Sequence, residues 1–444
     1  MFAIPLPPRP NLEQYKKLAK ELAKACKAGT RAALHEWSMR WLETLAPLLE
    51  LDKRPDFRER LMHHASQLAE FVFKKLADSK CALADAQFVI AQLHYFKSWP
   101  RFAKHVKELA SAGSPVSNFE LAADAVVAGD PVTLGRLLRK DPGLIRAAST
   151  REHQATLLHY VAANGVEDFR QKTPKNAVAV AEMLLNAGAE VDAPNLDYGP
   201  GTTLGLVATS VHPWLAGVQN ALLEILLDHG ACVDGLPGGW NPLIAALHND
   251  RPEAAAFLAE HGARLDLEGA AGVGKLDVVK TFVAEQTVKT VSSRKTPRSL
   301  SRSERATSEP ANLLHGATKD QLRSGFKWAC EYGRKEVVEF LLDKGVDLRA
   351  GENTGQTALH LAAHRGQLEI IKLLLQHGAP LEAKNGYGGT VLGQATWSVM
   401  HGDRSIDFAP VIETLLAAGA KIEAADYPTG NAGVDELLRR HSAK

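Results

Sequence analysis

Residues 354–386 read TGQTALHLAAHRGQLEIIKLLLQHGAPLEAKNG, and they predict a pair of short helices. Thr357 is a favourable N-terminal cap for the first helix, and Gly366 ends it because glycine adopts a positive φ at little cost. The text that follows, LEIIKLLLQ, has the pattern of an amphipathic helix that ends at Gly378. A unit this small cannot bury its apolar face alone, so the pattern predicts stacked neighbours.

The same pattern recurs along the chain at a nearly constant spacing. Gly333 lies 33 residues before Gly366, and Gly345 lies 33 residues before Gly378. Similar text is found in FELAADAVVAGDPVTLGRLLRKDP, ATLLHYVAANG with VAEMLLNAGAEVD, TTLGLVATS with ALLEILLDHGACVD, GGWNPLIAALHNDRPEAAAFLAEHGARLD, and GGTVLGQATW with VIETLLAAGAKIE. We count about eight such units from residue 117 onward.

The segment Thr357-Ala-Leu-His360-Leu-Ala-Ala followed by Gly366 resembles the ankyrin repeat. The resemblance implies an all-α solenoid of stacked helix-turn-helix units with projecting hairpin loops. It also implies that His159 and His360, which follow a threonine at the same distance, are structural hydrogen-bonding residues. Proteins of this kind usually bind another protein on the concave face, which combines the first helices with the loop tips.

Two sets of positions on that concave face are the candidate partner-binding residues. They are the loop-tip residues Tyr198, Trp240, Gln356 and Tyr387 and the first-helix residues Glu331, Tyr332, His364 and Arg365. Exposed aromatic side chains suit recognition because they bury a large area at small entropic cost. A competing interpretation is that Trp240 and Tyr387 pack on adjacent loops and that Tyr332 fills a gap between repeats.

Residues 1–116 lack the repeat pattern and predict a helical head or an enlarged N-terminal cap. Apolar residues with helical spacing predict four or five helices there. One helix uses Leu34, Trp37, Trp41, Leu45 and Leu48, another runs from about Leu83 to Tyr95, and Ser98-Trp99-Pro100 marks the start of a further one. The predicted organisation is therefore a head over 1–116, a repeat array over 117–425 and a C-terminal cap over 426–444.

Insertions interrupt the array at four places. Three of them, FRQKTPKN, SVHPWLAGVQ and VMHGDRSIDF, fall between the first and second helix of a repeat. They predict a rim of loops along one edge, or helices with longer ends. The fourth, at about residues 286–312, is rich in Ser, Thr, Lys and Arg and predicts a flexible loop. A phosphorylation or docking role and a tolerated surface insertion are the alternatives for that loop, and the insertion is favoured.

The composition gives no global reason to expect nucleic acid or membrane as a partner. The formal net charge is +1, although residues 1–116 hold 19 Lys and Arg against 12 Asp and Glu. The four cysteines are far apart in the sequence and predict free thiols in a reducing compartment. The opening MFAIPLPPRP is too short and too rich in proline for a signal peptide, and no apolar run is long enough to span a membrane. These features predict a cytoplasmic protein.

The sequence contains only weak matches to catalytic or ligand-binding motifs. Gly269 to Lys275 matches the spacing of a phosphate-binding loop, GxxxxGK, but Leu276 stands where such a loop needs Ser or Thr, and the segment aligns with a repeat helix. A nucleotide-dependent switch or enzyme built on this segment is one alternative function. Nucleic-acid binding by the basic face of the head is a second. We expect no catalytic residues, no metal, no cofactor and no small-molecule substrate, and we expect a protein partner whose identity the sequence leaves open.

Overall fold

The computed structural model describes residues 3–48, 56–197, 199–292, 319–349 and 354–442. Within these ranges the regular structure is helical, with isolated β-bridges such as Ala148 to Thr156 and no strand. The chain divides into two compact units, Met1–Ala245 and Ala246–Lys444. The prediction of an all-α protein is therefore confirmed. Among the described helices, none is long and apolar enough to cross a membrane.

The first unit begins with the predicted helical head. Its helices are α1 Leu12–Lys27, α2 Arg31–Leu45, α3 Phe57–Leu76, α4 Leu83–Leu93 and α5 Trp99–Ala110. Trp37, Phe96 and Phe102 are among the largest buried side chains of its core. The predicted start of α5 is confirmed, because Ser98 is the N-cap residue and a proline lies in the first turn, but the Ser98 side chain makes no capping hydrogen bond. Leu48 was expected on the apolar face of α2 but is exposed, since Pro47 cannot continue a helix and α2 ends at Leu45.

An extended segment at residues 3–9, here called the N-terminal strap, crosses the head. The Ile4 amide donates to the Leu93 carbonyl at 2.9 Å, and the Ile4 carbonyl contacts His94 Nδ1 at 2.7 Å. The Ala3 amide donates to the Asp168 carboxylate at 3.3 Å. Ile4 itself is buried in the head core. The strap therefore joins the head to the repeat that contains Asp168.

The expectation of four free thiols is wrong for two of the cysteines. Cys26 and Cys81 form a disulfide, with their Cα atoms 5.6 Å apart. Their sequence separation of 55 residues concealed the pair, but α1 packs on α4 and so brings the two positions together. Cys232 is a free exposed thiol and Cys330 a free buried one.

The repeats of the first unit follow the head as two layers of helices. Their helices are α6 Pro115–Ala128, α7 Pro131–Lys140, α8 Ala177–Asn186, α9 Thr203–Thr209, α10 Val211–Leu215, α11 Gln219–Asp228 and α12 Pro242–His248, with 3₁₀ helices at Pro142–Arg146, Leu157–Ala162 and Asp168–Arg170. One layer contains α6, the 3₁₀ helix Leu157–Ala162 and α9, in contact in that order. In the other layer α8 packs on α11. α12 spans the division between the two units.

Four charged side chains form a buried ion network in the first unit. They are Glu120 on α6, Arg151, Glu167 and Arg170, and none of these side chains is more than 7% exposed. Arg151 Nη1 lies 2.8 Å from Glu167 Oε1, and Arg170 Nη1 lies 2.7 Å from Glu120 Oε2. Burial opposes ionisation of Glu120, but the two guanidinium groups lower its pKa to about 2. Each charge is thus compensated by an opposite one.

The helices of the second unit follow α12 in the sequence. They are α13 Pro252–Glu260, α14 Leu267–Val273, α15 Leu276–Ser292, α16 Lys319–Glu331, α17 Lys335–Asp343, α18 Ala358–His364, α19 Leu368–Gln376, α20 Val391–His401, α21 Ala409–Ala417 and α22 Ala432–Ser442, with a 3₁₀ helix at Ala424–Asp426. The first helices α14, α16, α18 and α20 pack in series and form the inner layer. The second helices α15, α17, α19 and α21 form the outer layer, and one apolar core runs between the layers.

The three insertions between helices do not form a uniform rim. In the first, Arg170 folds inward and joins the buried ion network. In the second, α10 projects and leaves Leu215 71% exposed. In the third, α20 is longer than its counterpart α18, and Ile406 lies against Gly366. Position in the repeat therefore did not decide how each insertion folds.

The first residues of the loop expected at about residues 286–312 are helical instead. α15 continues to Ser292, because its sequence carries neither glycine nor proline up to that point. Residues 293–318 lie outside the described residues, and so does the rest of that prediction.

Candidate binding surface

Repeat histidines fix the start of the first helices. The Thr156 amide donates to His159 Nδ1 at 3.0 Å, so His159 Nε2 carries the proton that is donated to the Ala193 carbonyl, also at 3.0 Å. His360 has the same arrangement, with the Thr357 hydroxyl 2.9 Å from Nδ1 and the Gly389 carbonyl 3.3 Å from Nε2. Burial lowers the pKa of His159 to about 4. The structural role that the resemblance implied is confirmed, because each histidine joins one repeat to the next loop.

Three of the predicted residues meet at one open cavity in the second unit. Gln356 and Tyr387 come from neighbouring loop tips, and His364 lies at the end of α18. We call this space the tip cavity; it has a volume of about 660 Å³, and its principal lining side chains are Gln356, His364, Asn385, Tyr387, Gln394 and Trp397. Volumes of about 300–1,000 Å³ are usual for ligand pockets.

The tip cavity is held in shape by side-chain amides. Gln394 Oε1 accepts from Gln356 Nε2 at 3.2 Å and from Asn385 Nδ2 at 3.4 Å. Asn385 Oδ1 accepts from the amides of Tyr387 and Gly389, both at 3.0 Å, which sets the turn that presents Tyr387. The Tyr387 side chain is left 85% exposed at the tip.

Three predicted residues, Arg365, Tyr332 and Glu331, form a second group together with Asp250, here called the Arg365 cluster. Arg365 pairs with Asp250 and with Glu331, whose Oε1 lies 3.4 Å from Nη2, and its guanidinium lies 6.0 Å from the Tyr332 ring. Burial opposes the charge on Arg365, but Asp250 and Glu331 raise its pKa. The Tyr332 hydroxyl donates to the Leu247 carbonyl at 2.7 Å, so Tyr332 links repeats and is half-buried.

The two remaining candidates belong to the first unit and do not form a comparable site. Tyr198 lies outside the described residues. Trp240 is half-buried, and its ring packs against the start of α9: a Cβ atom added to Gly205 would lie 2.7 Å from Trp240 Cη2. The indole N–H has no hydrogen-bond partner among the described residues. This placement matches the competing interpretation, in which Trp240 packs on a neighbouring loop.

The glycine-rich segment forms a repeat helix, as predicted. Gly269 to Val273 lie in α14, which Asp266 caps by accepting from the Gly269 amide at 2.7 Å. Gly274, with φ of 84°, ends that helix, and Lys275 stands between α14 and α15. Amides committed to a helix cannot wrap a phosphate. Among the described residues, no group of three or more His, Cys, Asp or Glu side chains is arranged to hold a metal ion.

Three principal lining residues of the tip cavity, Asn385, Gln394 and Trp397, were missed by the sequence reasoning. Asn385 lies in the loop before α20. Gln394 and Trp397 both lie on α20, whose sequence VLGQATWSVMH departs from the repeat pattern of TALHLAAHRG. Their helical spacing of three residues places them on one face. The available signal was the repeat register, because Trp397 follows Thr390 by seven residues, as His364 follows Thr357.

Comparison with known protein families supports the repeat assignment independently of the structure. Residues 306–426 match the family model for ankyrin repeats, with three copies. No curated protein matches the chain. The matched segment includes α16 to α21 and therefore both the tip cavity and most of the Arg365 cluster. The chain thus contains ankyrin repeats, and the total of about eight stays a prediction.

Proposed function

We propose that this ankyrin-repeat chain is a non-enzymatic scaffold that binds a protein partner on the inner helices and loop tips of its second unit. Ankyrin repeats are in general protein-interaction modules. The observation that carries the proposal is the tip cavity, where Gln356, His364 and Tyr387 from consecutive repeats meet Trp397. Large exposed aromatic side chains beside a preformed cavity are typical of binding hot spots.

The Arg365 cluster supports the same surface. Its charged members are partly exposed, with 25% exposure for the Arg365 side chain and 47% for that of Asp250. Arg365 follows His364 of the tip cavity directly in the sequence, so a partner seated in the cavity would meet the cluster next. Charges at the edge of an interface mainly set orientation and association rate. We therefore assign anchoring to the tip cavity and orientation to the Arg365 cluster.

The alternative functions find less support. The helical state of Gly269 to Val273 argues against nucleotide binding there. On the head, the basic side chains of α1 are partly paired, as between Lys16 and Glu13 at 2.8 Å. The cytoplasmic location stays a prediction. The Cys26–Cys81 disulfide counts against it, because disulfides are rare in reducing compartments.

A selection from a random peptide library tests the proposal without a known partner. Peptides displayed on phage are panned on the full chain, and the enriched peptides are then measured against Tyr387→Ala. Tyr427→Ala is the matched control, because Tyr427 is another exposed tyrosine of the same unit, at 48%. We expect binding to weaken at least tenfold with Tyr387→Ala and to change less than twofold with Tyr427→Ala.

Enriched peptides that bind Tyr387→Ala and the unmodified chain equally would contradict the proposed surface. So would a failure to enrich any peptide above the background of a coated surface. Circular dichroism melts of both variants establish that the fold is intact, which their exposure leads us to expect.

A further inference from the structure

The side chains that line the tip cavity share an unusual property, namely that they are polar and uncharged. Among the described lining residues there are amides, aromatic groups, a threonine, glycines and His364, and none is Asp, Glu, Lys or Arg. Burial lowers the pKa of His364, so its imidazole is neutral at neutral pH. A charged ligand group would lose hydration there without gaining a counter-ion. The cavity therefore selects a neutral ligand.

The cavity also offers hydrogen-bond donors that the protein leaves unused. The Trp397 indole N–H and the Tyr387 hydroxyl have no hydrogen-bond partner among the described residues. An indole N–H can only donate. A complementary ligand must therefore present acceptors that are not already occupied.

The two aromatic side chains are exposed, and Trp397 is fixed in place. The Trp397 ring stacks on His401 of the same helix, with centroids 4.7 Å apart and an angle of 19° between planes. The His364 ring lies 5.9 Å from the Trp397 ring, with an angle of 40° between the planes. Because its orientation is set before binding, Trp397 offers a flat apolar surface at small entropic cost.

From these observations we propose that the tip cavity binds a proline-rich segment of the partner in the polyproline II conformation. This inference rests on the proposed function and names the chemistry of the partner. In polyproline II the backbone carbonyls make no internal hydrogen bonds, so they are free to accept from Trp397 and Tyr387. The pyrrolidine rings are neutral and pack on aromatic faces, which is how aromatic-lined grooves recognise such segments.

Other partner conformations fit the cavity less well. A helix has its interior carbonyls occupied by its own amides and could not use the two free donors. A segment rich in Lys, Arg, Asp or Glu would place charge against the neutral lining. A proline-rich segment avoids both difficulties and is already extended before it binds, which reduces the entropy lost on binding.

Fluorescence anisotropy with fluorescein-labelled octaproline tests the inference on the full chain. A labelled peptide of alternating glycine and serine, of the same length, is the control ligand. We expect Trp397→Ala to weaken octaproline binding at least tenfold, and Trp214→Ala to change it less than twofold. Trp214 is a matched control because it is 44% exposed on α10, while Trp397 is 46% exposed on α20. We expect Tyr387→Phe, which removes only the hydroxyl, to weaken binding at least threefold, with Tyr427→Phe as its control.

Octaproline binding that equals that of the glycine-serine peptide, or that is unaffected by Trp397→Ala, would overturn the inference. The peptide selection described above separates this failure from that of the proposed function. If selected peptides require Tyr387 while octaproline does not bind, the interaction surface stands and the proline-rich partner is wrong. If neither class of peptide depends on Tyr387, both proposals fail.

Discussion

Replacing Cys26 and Cys81 by serine should destabilise the first unit by about 4 kcal/mol. The disulfide closes a loop with a sequence separation of 55 residues. The chain-entropy model gives a loss of about 14 cal/mol/K for a loop of that length, which is about 4 kcal/mol at 25 °C. Since a whole domain is usually stable by about 5–15 kcal/mol, this bond is a large part of what keeps the head folded.

Scanning calorimetry of the unmodified chain with and without dithiothreitol measures the effect. For a unit of this size, we expect reduction to lower the Tm of its transition by about 10 °C. Thiol titration of the denatured, unreduced chain should find two reactive thiols, those of Cys232 and Cys330, and four after reduction. Cys232→Ser is the control variant; because that thiol is exposed, the variant should keep both the Tm and the sensitivity to dithiothreitol.

Comparison of the single and double variants tests the physical reason. Cys26→Ser and Cys81→Ser each remove the same covalent link, so each should cost about as much as the double variant. Losses that add between the two sites would show that local packing, rather than the cross-link, supplies the stability. Four reactive thiols before reduction would refute the reasoning altogether.

Three further outcomes follow from burial and charge. Leu374→Asp should lower the free energy of unfolding in urea by about 4 kcal/mol or more, because Leu374 is fully buried. Leu373→Asp, at a half-buried position, should lower it by about 1 kcal/mol, and equal losses for the two variants would contradict the packing. Trp240→Ala should lower stability by about 2 kcal/mol, since its ring packs on α9, and an unchanged melt would show that the residue is free for a partner. Stability should also fall as the pH drops below 6.5, because burial lowers the pKa of both His94 and His105 from 6.5 to about 3, so that the unfolded chain binds protons before the folded one. At pH 5 each histidine should lower the free energy of unfolding by about 2 kcal/mol relative to neutral pH. Equal urea midpoints at pH 7.5 and pH 5 would show that these two groups do not take up protons on unfolding.

The repeat helices could be predicted from the sequence because local signals specify them. Thr357 is the N-cap residue of α18, His360 bonds back to that threonine, and Gly366 supplies the positive φ that follows the end of α18. All three residues fall within ten positions of one another, and the same set recurs at Thr156, His159 and Gly165. Such local consistency is what sequence patterns can report.

The features that could not be predicted depend on contacts between distant segments. Arg170 lies in an insertion whose sequence is typical of a surface loop, and its burial is favourable because it pairs with carboxylates that include Glu120, 50 residues earlier, and Asp124, 46 residues earlier. Cys26 and Cys81 are paired by the packing of α1 on α4. In the tip cavity, Gln356 and Tyr387 could be proposed from their repeat positions, but the role of Trp397 depends on the altered sequence of α20.

The N-terminal strap affects the order in which the chain can fold during synthesis. Residues 3–9 leave the ribosome well before the residues they contact: the backbone of Ile4 is paired at Leu93 and His94, and Ala3 is paired at Asp168. The buried place of Ile4 therefore stays unfilled until about ninety more residues have emerged, and the last contact waits for a repeat beyond the head. Contacts between residues far apart in the sequence form slowly. The head therefore stays partly unfolded during synthesis until the strap can pair with the residues that emerge later.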